Sequence, residues 1–508
     1  MDTVEQNRVE NRLPAARAML IGVIAVAAAL AAGHLVAGVL NDGNASPYLA
    51  VGNTAIDLTP APVKDWAIAT FGTADKLVLL SGMGLVLLGI AIGAGLLSRR
   101  SSMPGVVLAV VIGVLGVVAV MIRPDLGQLS ILAPLASLLV GVSVFRWLHR
   151  LAGEVEASDG RRRFMKASVG VVAGFGVAGI AGQLLGNRAN VEGSREAIGT
   201  IAPATPAAPI PNGADFNPST PRFITSNRDF YRIDTALSVP KVAAEDWVLR
   251  IHGAVDRELT LRYQDIRKMP LVERTVTLAC VSNEVGGDLI STSNFIGVPL
   301  KDILAGAGVK PGADQLFSTS ADGWTCGTPV ADIMERGLLA IGMNGEPLPV
   351  EHGFPARMVV PGLYGYVSAT KWVVDMEFNR FQDKEAYWLS RGWSAQGPIK
   401  TQSRIDTPTG GSVTGKVAVA GIAWAQTKGI AKVEVRVDGG EWRPTTLATE
   451  VNRDTWRMWR TELDLPPGDH TIESRATDQT GYTQTEERVP PAPDGATGWD
   501  SRTFSVKT

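Results

Sequence analysis

The chain has 508 residues, 45% of them hydrophobic, a length that at roughly 100–200 residues per domain excludes a single small module. Lys+Arg 48 against Asp+Glu 50 leaves a net charge of −2, which offers nothing to a partner as anionic as nucleic acid. Cys280 and Cys326 are its two cysteines, too few for a disulfide framework or a four-cysteine metal site.

Almost all the long uncharged stretches precede residue 190. Five segments, 18–40, 77–97, 105–122, 129–145 and 167–187, are long and apolar enough for a hydrocarbon core that needs about 17–25 apolar residues. Residues 1–190 are therefore expected to form a five-helix transmembrane region in a lipid bilayer. Pro134 lies in the fourth segment, where neighbouring helices can satisfy the carbonyl it frees. A cytoplasmic N-terminus puts Arg8, Arg12, Arg17, Arg99, Arg100 and the basic stretch from Arg146 to Lys166 inside, leaving Lys64, Lys76 and Arg123 in outer loops. This bias predicts a multi-pass protein of a bacterial cytoplasmic membrane, with everything after residue 190 extracytoplasmic. Gly89 with Gly93, and Gly170 with Gly174, have the spacing that lets helices approach closely. His34 and His149 fall at opposite ends of the region, against a haem held between them.

Ahead of the fifth segment, Gly160-Arg161-Arg162-Arg163-Phe164-Met165-Lys166 resembles a twin-arginine export signal. That resemblance implies a soluble part that folds around a cofactor before it crosses, with the fifth helix retained as an anchor. Six prolines between Pro203 and Pro221 predict an extended, semi-rigid linker over 191–221. Trp247 to Ile251 alternates as a strand, and Val272 to Leu278 reads as another that ends directly in Ala279-Cys280. A lone cysteine at a strand end is either a small buried hydrophobe or a ligand. The Ser282/Gly286/Gly287 loop that follows favours the ligand. Toward the C-terminus, Val433, Val435 and Val437 alternate into an Asp438-Gly439-Gly440 turn and Trp442 restarts a strand, a hairpin signal within an all-β segment. Trp442, Trp456 and Trp459 are expected as core or interface aromatics.

Two blocks carry a family resemblance. Thr277-Leu278-Ala279-Cys280-Val281-Ser282-Asn283 with Gly297-Val298-Pro299-Leu300, and His352-Gly353-Phe354-Pro355-Ala356-Arg357 with Lys371-Trp372, are similar to the sulfite oxidase family of molybdopterin-dependent oxidoreductases. The resemblance covers about 222–508. Added to the five-helix membrane region, it implies a multidomain chain with an α+β molybdopterin domain over 222–400 and an immunoglobulin-like dimerisation domain over 401–508 that would make a homodimer. It further implies a molybdenum-molybdopterin cofactor with Cys280 as metal ligand, and His352, Arg357 and Lys371 as its main holders. Tyr231, Arg232, Ser282, Asn283, Asp322 and Thr370 are the further cofactor-contacting candidates. The chemistry agrees, because a thiolate stabilises molybdenum in high oxidation states and the cationic side chains suit a phosphate. For Asp322, in Asp322-Gly323, a simple turn role stands beside the cofactor role.

The departures concern the substrate. Glu284 stands where the family continues into arginines, Ile341 falls where it has a tyrosine, and Tyr366 to Thr370 replace its Arg-His pair. With Glu284 and Ile341 the pocket is expected to disfavour sulfite, while Arg391, a further pocket candidate, would supply an anion site under the alternative reading. The reading is a membrane-anchored, extracytoplasmic oxidoreductase performing two-electron redox or oxygen-atom transfer on another small molecule. Its alternatives are a cofactor-free extracellular binding module on the same fold and a true sulfite oxidase.

Overall fold

The computed structural model describes residues 12–40, 42–71, 74–123, 126–153, 158–186 and 190–507. It divides into two compact units, one of residues 1–190 with 235–239, the other of 191–234 with 240–508.

The first unit is helical: α1 (Ala15–Val39), α2 (Pro47–Leu58), α3 (Ala61–Phe71), α4 (Asp75–Leu97), α5 (Met103–Met121), α6 (Leu132–Gly153) and α7 (Ser158–Gly186). Five of these, α1 and α4 to α7, are long and apolar enough to cross a membrane. Pro134 lies in the first turn of α6, where its missing N–H costs no intrahelical bond. Helix α7 starts earlier than the apolar run, so Arg161 to Lys166 are wound into its first turns. Helices α2 and α3 occupy an interval that hydropathy leaves blank.

Small residues bring α1 against two neighbours. A Cβ on Gly22 would stand 1.9 Å from the Ala91 carbonyl oxygen, and one on Gly95 2.0 Å from that of Ala18, so α1 and α4 touch backbone to backbone. Gly38 and Gly182 do the same for α1 and α7, with 2.3 Å from Gly38 to the Gly182 oxygen. Gly89, Gly93, Gly170 and Gly174 meet nothing within 4 Å, which corrects the packing role expected of them. Spacing places glycines on one helix face but does not say which face meets a neighbour. His34 Nε2 lies 3.1 Å from Gln183 Oε1, and His149 Nε2 is 2.7 Å from the Ser98 carbonyl.

The second unit begins with a short helix, Val191–Ile198. The proline-rich stretch after it was expected as a spacer, yet it is docked: Glu273 N donates to Thr205 O at 2.8 Å, and Ala207 N donates to Glu273 Oε2 at 3.1 Å. An extended proline-rich chain keeps its carbonyls free, and here they are met by a neighbouring strand.

Strands follow as β1 (Val248–Gly253), β2 (Leu259–Arg262), β3 (Val272–Ala279), β4 (Ile290–Pro299) and β5 (Gln315–Ser320). Next come β6 (Thr325–Pro329), β7 (Leu338–Met343), β8 (Glu346–Pro347), β9 (Arg357–Val359) and β10 (Val373–Asn379). One sheet has the order β2-β1-β10-β5-β6, with β1 parallel to β10; the other runs β3-β4-β7-β8, with β9 also on β7. Trp247, Tyr263, Phe295, Phe354, Trp372 and Phe378 are fully buried and fill this part. At about 1.5–3 kcal/mol for each large apolar side chain taken out of water, they hold the two sheets around the loops that matter below.

Residues 401–507 are all-β. Strands β11 (Gln402–Thr407), β12 (Ser412–Thr414), β13 (Val417–Trp424), β14 (Ile430–Val437) and β15 (Arg443–Pro444) are followed by β16 (Thr446–Leu447), β17 (Arg457–Leu463), β18 (Gly468–Asp478) and β19 (Asp500–Lys507). They form the sheets β11-β13-β17-β16 and β12-β19-β18-β14-β15 around Val433, Val435, Trp459 and Ile472. The Asp438-Gly439 turn has positive φ at both residues and returns the chain so that Val435 faces Arg443. Trp459 and Trp456 are buried, whereas Trp442 packs half-buried on Trp499 with ring centroids 4.9 Å apart.

Candidate active site around Cys280

Strand β3 delivers Cys280. Its run of β-branched residues pairs with β4 through Ala279↔Ile290, so the chain leaves the sheet at the cysteine and returns at residue 290. The loop between is closed by its own bonds: Asn283 N donates to Cys280 O at 3.1 Å, Cys280 N to Leu289 O at 3.0 Å, and Leu289 N to Asn283 Oδ1 at 2.8 Å. Asn283 is thus a loop-closing residue, and Gly287 is small because a Cβ there would sit 2.6 Å from Asn283 Oδ1. Cys280 and Cys326 are both free. Burial pushes the Cys280 thiol up, while hydrogen bonds from Ser282 and the charge of Lys371 pull the other way.

His352, Arg357 and Lys371 are brought together by Gly353. It has φ +113°, and a Cβ on it would stand 3.0 Å from Arg357 Cβ and 3.2 Å from Lys371 Cα. Any side chain at 353 would wedge the three apart. His352 Nε2 lies 3.0 Å from the Asn227 carbonyl, which fixes the proton on Nε2, and burial together with Arg357 and Lys371 brings its pKa down to about 4. The imidazole is neutral at neutral pH.

Arg357 is 5% exposed, and its bonds go to two carbonyls, Nη1 to His352 O at 3.1 Å and Nε to Met358 O at 3.4 Å. Among the described residues no carboxylate pairs with it, and desolvation lowers its pKa to about 10. Lys371 Nζ donates to Asp234 Oδ2 at 2.9 Å and to Glu351 O at 3.2 Å; its pKa falls to about 8 through burial, against the opposing pull of Asp234. Arg232 Nε shares the same Asp234 oxygen at 2.9 Å. Two cations therefore share one carboxylate oxygen. Trp372, next in the chain, takes the left-handed φ of +48° and is held by Nε1 donating to Val350 O at 2.7 Å. That conformation is costly for a bulky residue.

Tyr231 joins the group through its hydroxyl: burial and the nearby Cys280 raise its pKa, and Arg357 lowers it. A Cβ on Gly365 would stand 3.9 Å from both the Tyr231 hydroxyl and the Ala279 carbonyl, so residue 365 lies beside the end of β3. Asp322 Oδ1 accepts from Trp324 N at 3.2 Å, the turn role, and is itself buried. Ser320, just before it, has a buried hydroxyl with no hydrogen-bond partner. Thr370 is fully buried with Oγ1 2.7 Å from Ser318 Oγ, in a hydroxyl cluster that also holds Cys326, 3.6 Å from Thr328 Oγ1. Burial takes the Cys326 thiol up to about 11.

The substrate-pocket candidates fare differently. Glu284 is exposed on the cysteine loop. Ile341 is fully buried in β7, an interior strand whose six residues are all buried. Arg391 lies with its guanidinium 3.6 Å from the Tyr387 ring centroid and Nη1 donating to Tyr387 O at 2.7 Å. Sequence reading missed Asp234. The signal for Asp234 was its place two residues after Arg232.

These residues fit a bulky, phosphate-bearing metal cofactor. A buried guanidinium lacking a counter-ion costs on the order of 3–5 kcal/mol, a penalty that a bound anion would remove. Among the described residues no three His, Cys, Asp or Glu side chains converge as a metal cage.

Comparison with known proteins agrees. Residues 236–388 match the oxidoreductase molybdopterin binding domain. The mitochondrial sulfite oxidase of Macaca fascicularis is 31% identical over 352 residues, 56% of this chain and 63% of that protein's length. An uncharacterized oxidoreductase of Bacillus subtilis, YuiH, is 35% identical over 152 residues, 30% of this chain and 74% of that protein. Among solved structures, the sulfane dehydrogenase SoxCD from Paracoccus pantotrophus overlaps 56% of this chain and 84% of its own at 24% identity, with a TM-score of 0.48.

Proposed function

The chain belongs to the sulfite oxidase family of molybdopterin-dependent oxidoreductases, and from that premise we propose a membrane-anchored enzyme of the bacterial envelope that acts on a small molecule other than sulfite. The observation that carries the cofactor site is Arg357, buried without a counter-ion beside His352 and Lys371 and near Cys280 through Tyr231. In this reading Cys280 holds molybdenum, Arg357 and Lys371 bind the phosphate of the pterin, and neutral His352 offers Nδ1 as an acceptor. Tyr231 and Ser320 lend hydroxyls. The cofactor, when bound, supplies two-electron redox or oxygen-atom transfer.

The protein's own part is to bind, orient and keep water out. The five long apolar helices support an anchor, and the basic residues around Arg161 to Lys166 support a cytoplasmic start to the last of them, with the second unit extracytoplasmic. An external or membrane carrier would exchange electrons with it. The two C-terminal sheets are proposed to be immunoglobulin-like and to carry a homodimer contact. Elemental analysis of protein purified from membranes tests the reading: about one molybdenum per chain is expected from the single-thiolate site. Protein that is folded and free of molybdenum and pterin overturns it.

A further inference from the structure

Cys280 ends an edge strand. Strand β3 pairs with β4 on one side, and its other side is met by the C-terminal β unit. Thr277 N donates to Asp454 O at 2.9 Å, Trp456 N to Thr277 Oγ1 at 2.8 Å, Asn452 Nδ2 to Thr275 O at 3.1 Å, and Gln426 Nε2 to Thr277 O at 3.2 Å. The same unit holds the loop beyond the cysteine. Arg404 Nη1 donates to Gly287 O at 2.8 Å and Arg502 Nη2 to Gly286 O at 3.3 Å. Asp500 fits so closely that a Cβ on Gly286, itself at φ +78°, would stand 2.4 Å from Asp500 Oδ1. Arg404 is in turn aimed by Asp406, whose Oδ1 accepts from its Nε at 2.8 Å.

A chain of bonds then runs from Arg404 to the cysteine. Gly287 N donates to Glu284 O at 2.9 Å, Asn283 N to Cys280 O at 3.1 Å, and Asn283 Oδ1 takes Leu289 N, whose own carbonyl takes Cys280 N. The backbone is fixed three residues before the cysteine and seven after it by groups that lie well over a hundred positions away in sequence. Edge strands are usually blunted by charge or covered by a loop. Here the covering element reaches past the edge to the loop that orients the sulfur.

We propose that the C-terminal β unit is a positioning unit for the metal ligand: Gln426 and Arg404 clamp the chain on either side of Cys280 and set the direction from which its sulfur meets the metal. The proposal rests on Cys280 being that ligand. Outer-shell partners of metal ligands commonly change affinity or activity by about 10–100-fold when removed. Arg404 is a positioning residue and touches neither metal nor substrate in this scheme.

The test uses full-length, molybdenum-loaded protein with Arg404→Gln and, should that variant fold poorly, Gln426→Met. Ile472→Val, a core change in the same β unit, is the control for simple loosening. The expected result is near-parental molybdenum content, displaced g values in the Mo(V) electron paramagnetic resonance spectrum, and kcat lowered about 10–100-fold with KM changed less than about twofold. Arg404→Lys should restore most of both signals. Spectra and kcat equal to the parent's, with only the melting temperature lowered as in Ile472→Val, overturn the clamp alone. A parent without molybdenum overturns the cofactor reading and the clamp with it.

Discussion

Lys371 and Asp234 form a buried ion pair, Nζ to Oδ2 at 2.9 Å, with side chains 11% and 4% exposed, and Arg232 takes the same oxygen. Asp234 supports the charge on Lys371 against burial, which has already brought the lysine to about 8. Asp234→Asn should push it lower still. Uptake of released cofactor by apoprotein is then expected to equal the parent's well below pH 8 and to fail at lower pH than the parent's as pH rises. Identical pH profiles for uptake would show that Lys371 is not the phosphate partner.

Cys280→Ser should abolish bound molybdenum and turnover while leaving the melting temperature within a few degrees, because the thiol ends a strand and carries a loop closed by backbone and Asn283 bonds. Cys326→Ser should keep the metal, since Cys326 lies among Ser318, Thr328 and Thr370 and a hydroxyl finds partners there. Both thiols are free. A Cys280–Cys326 bridge in non-reduced peptide maps of active protein would refute the ligand assignment.

The elements that were legible in sequence are those whose signal is local. Hydropathy finds the five long helices, and alternation finds β3 with Cys280 at its end. What sequence hides is set by distant partners. Gly89 and Gly22 look alike in the text, yet only Gly22 meets a neighbouring backbone. Asp234 becomes a counter-ion only when the fold carries Lys371 to it across 137 positions. Ile341 lines up with a tyrosine of the family, but pattern matching does not see that β7 is covered on both faces. The grip of Arg404 on Gly287 spans 117 positions and leaves no periodic trace.

His352 sets an acid limit. Burial lowers its pKa from 6.5 to about 4, so between those values the unfolded chain takes up a proton that the folded chain refuses. Stability tied to this group is complete above pH 6.5 and lost as pH falls toward 4, on the order of 3 kcal/mol. His352→Gln, which keeps a donor for the Asn227 carbonyl, should flatten the fall of melting temperature over that interval. An unchanged slope would mean that carboxylates alone govern it.

Arg161, Arg162 and Arg163 are exposed in the first turns of α7. Replacing all three by lysine preserves positive charge, so a topology set by charge alone should survive, while recognition of paired arginines should not. The second unit is expected to stay inside the cell. Protease added from outside and reaching residues beyond 200 as readily as in the parent would reject the export reading.

Substrate charge is the remaining discriminator between this chain and a sulfite oxidase. Glu284 is exposed on the loop that carries Cys280, four positions after it, at a place where the family resemblance implies arginines. A carboxylate at close range repels an anion such as sulfite by about 1 kcal/mol at about 4 Å in bulk water, and by more where water is excluded. The arginines proposed to offset it are engaged: Arg232 is paired with Asp234, and Arg391 lies against Tyr387. Molybdenum-loaded protein should therefore turn over sulfite poorly and accept neutral or cationic substrates better. Glu284→Arg should tighten binding of small anions by removing one charge and adding its opposite. That gain should shrink as salt shortens the screening length from about 10 Å at 0.1 M to about 3 Å at 1 M. Because Ile341 is sealed in β7, Ile341→Tyr should cost stability through overpacking and add no sulfite activity. Steady-state assays with sulfite decide the matter: efficient turnover by the parent at low concentration would return the chain to the sulfite-oxidising branch, with Arg232 or Arg391 as the anion site.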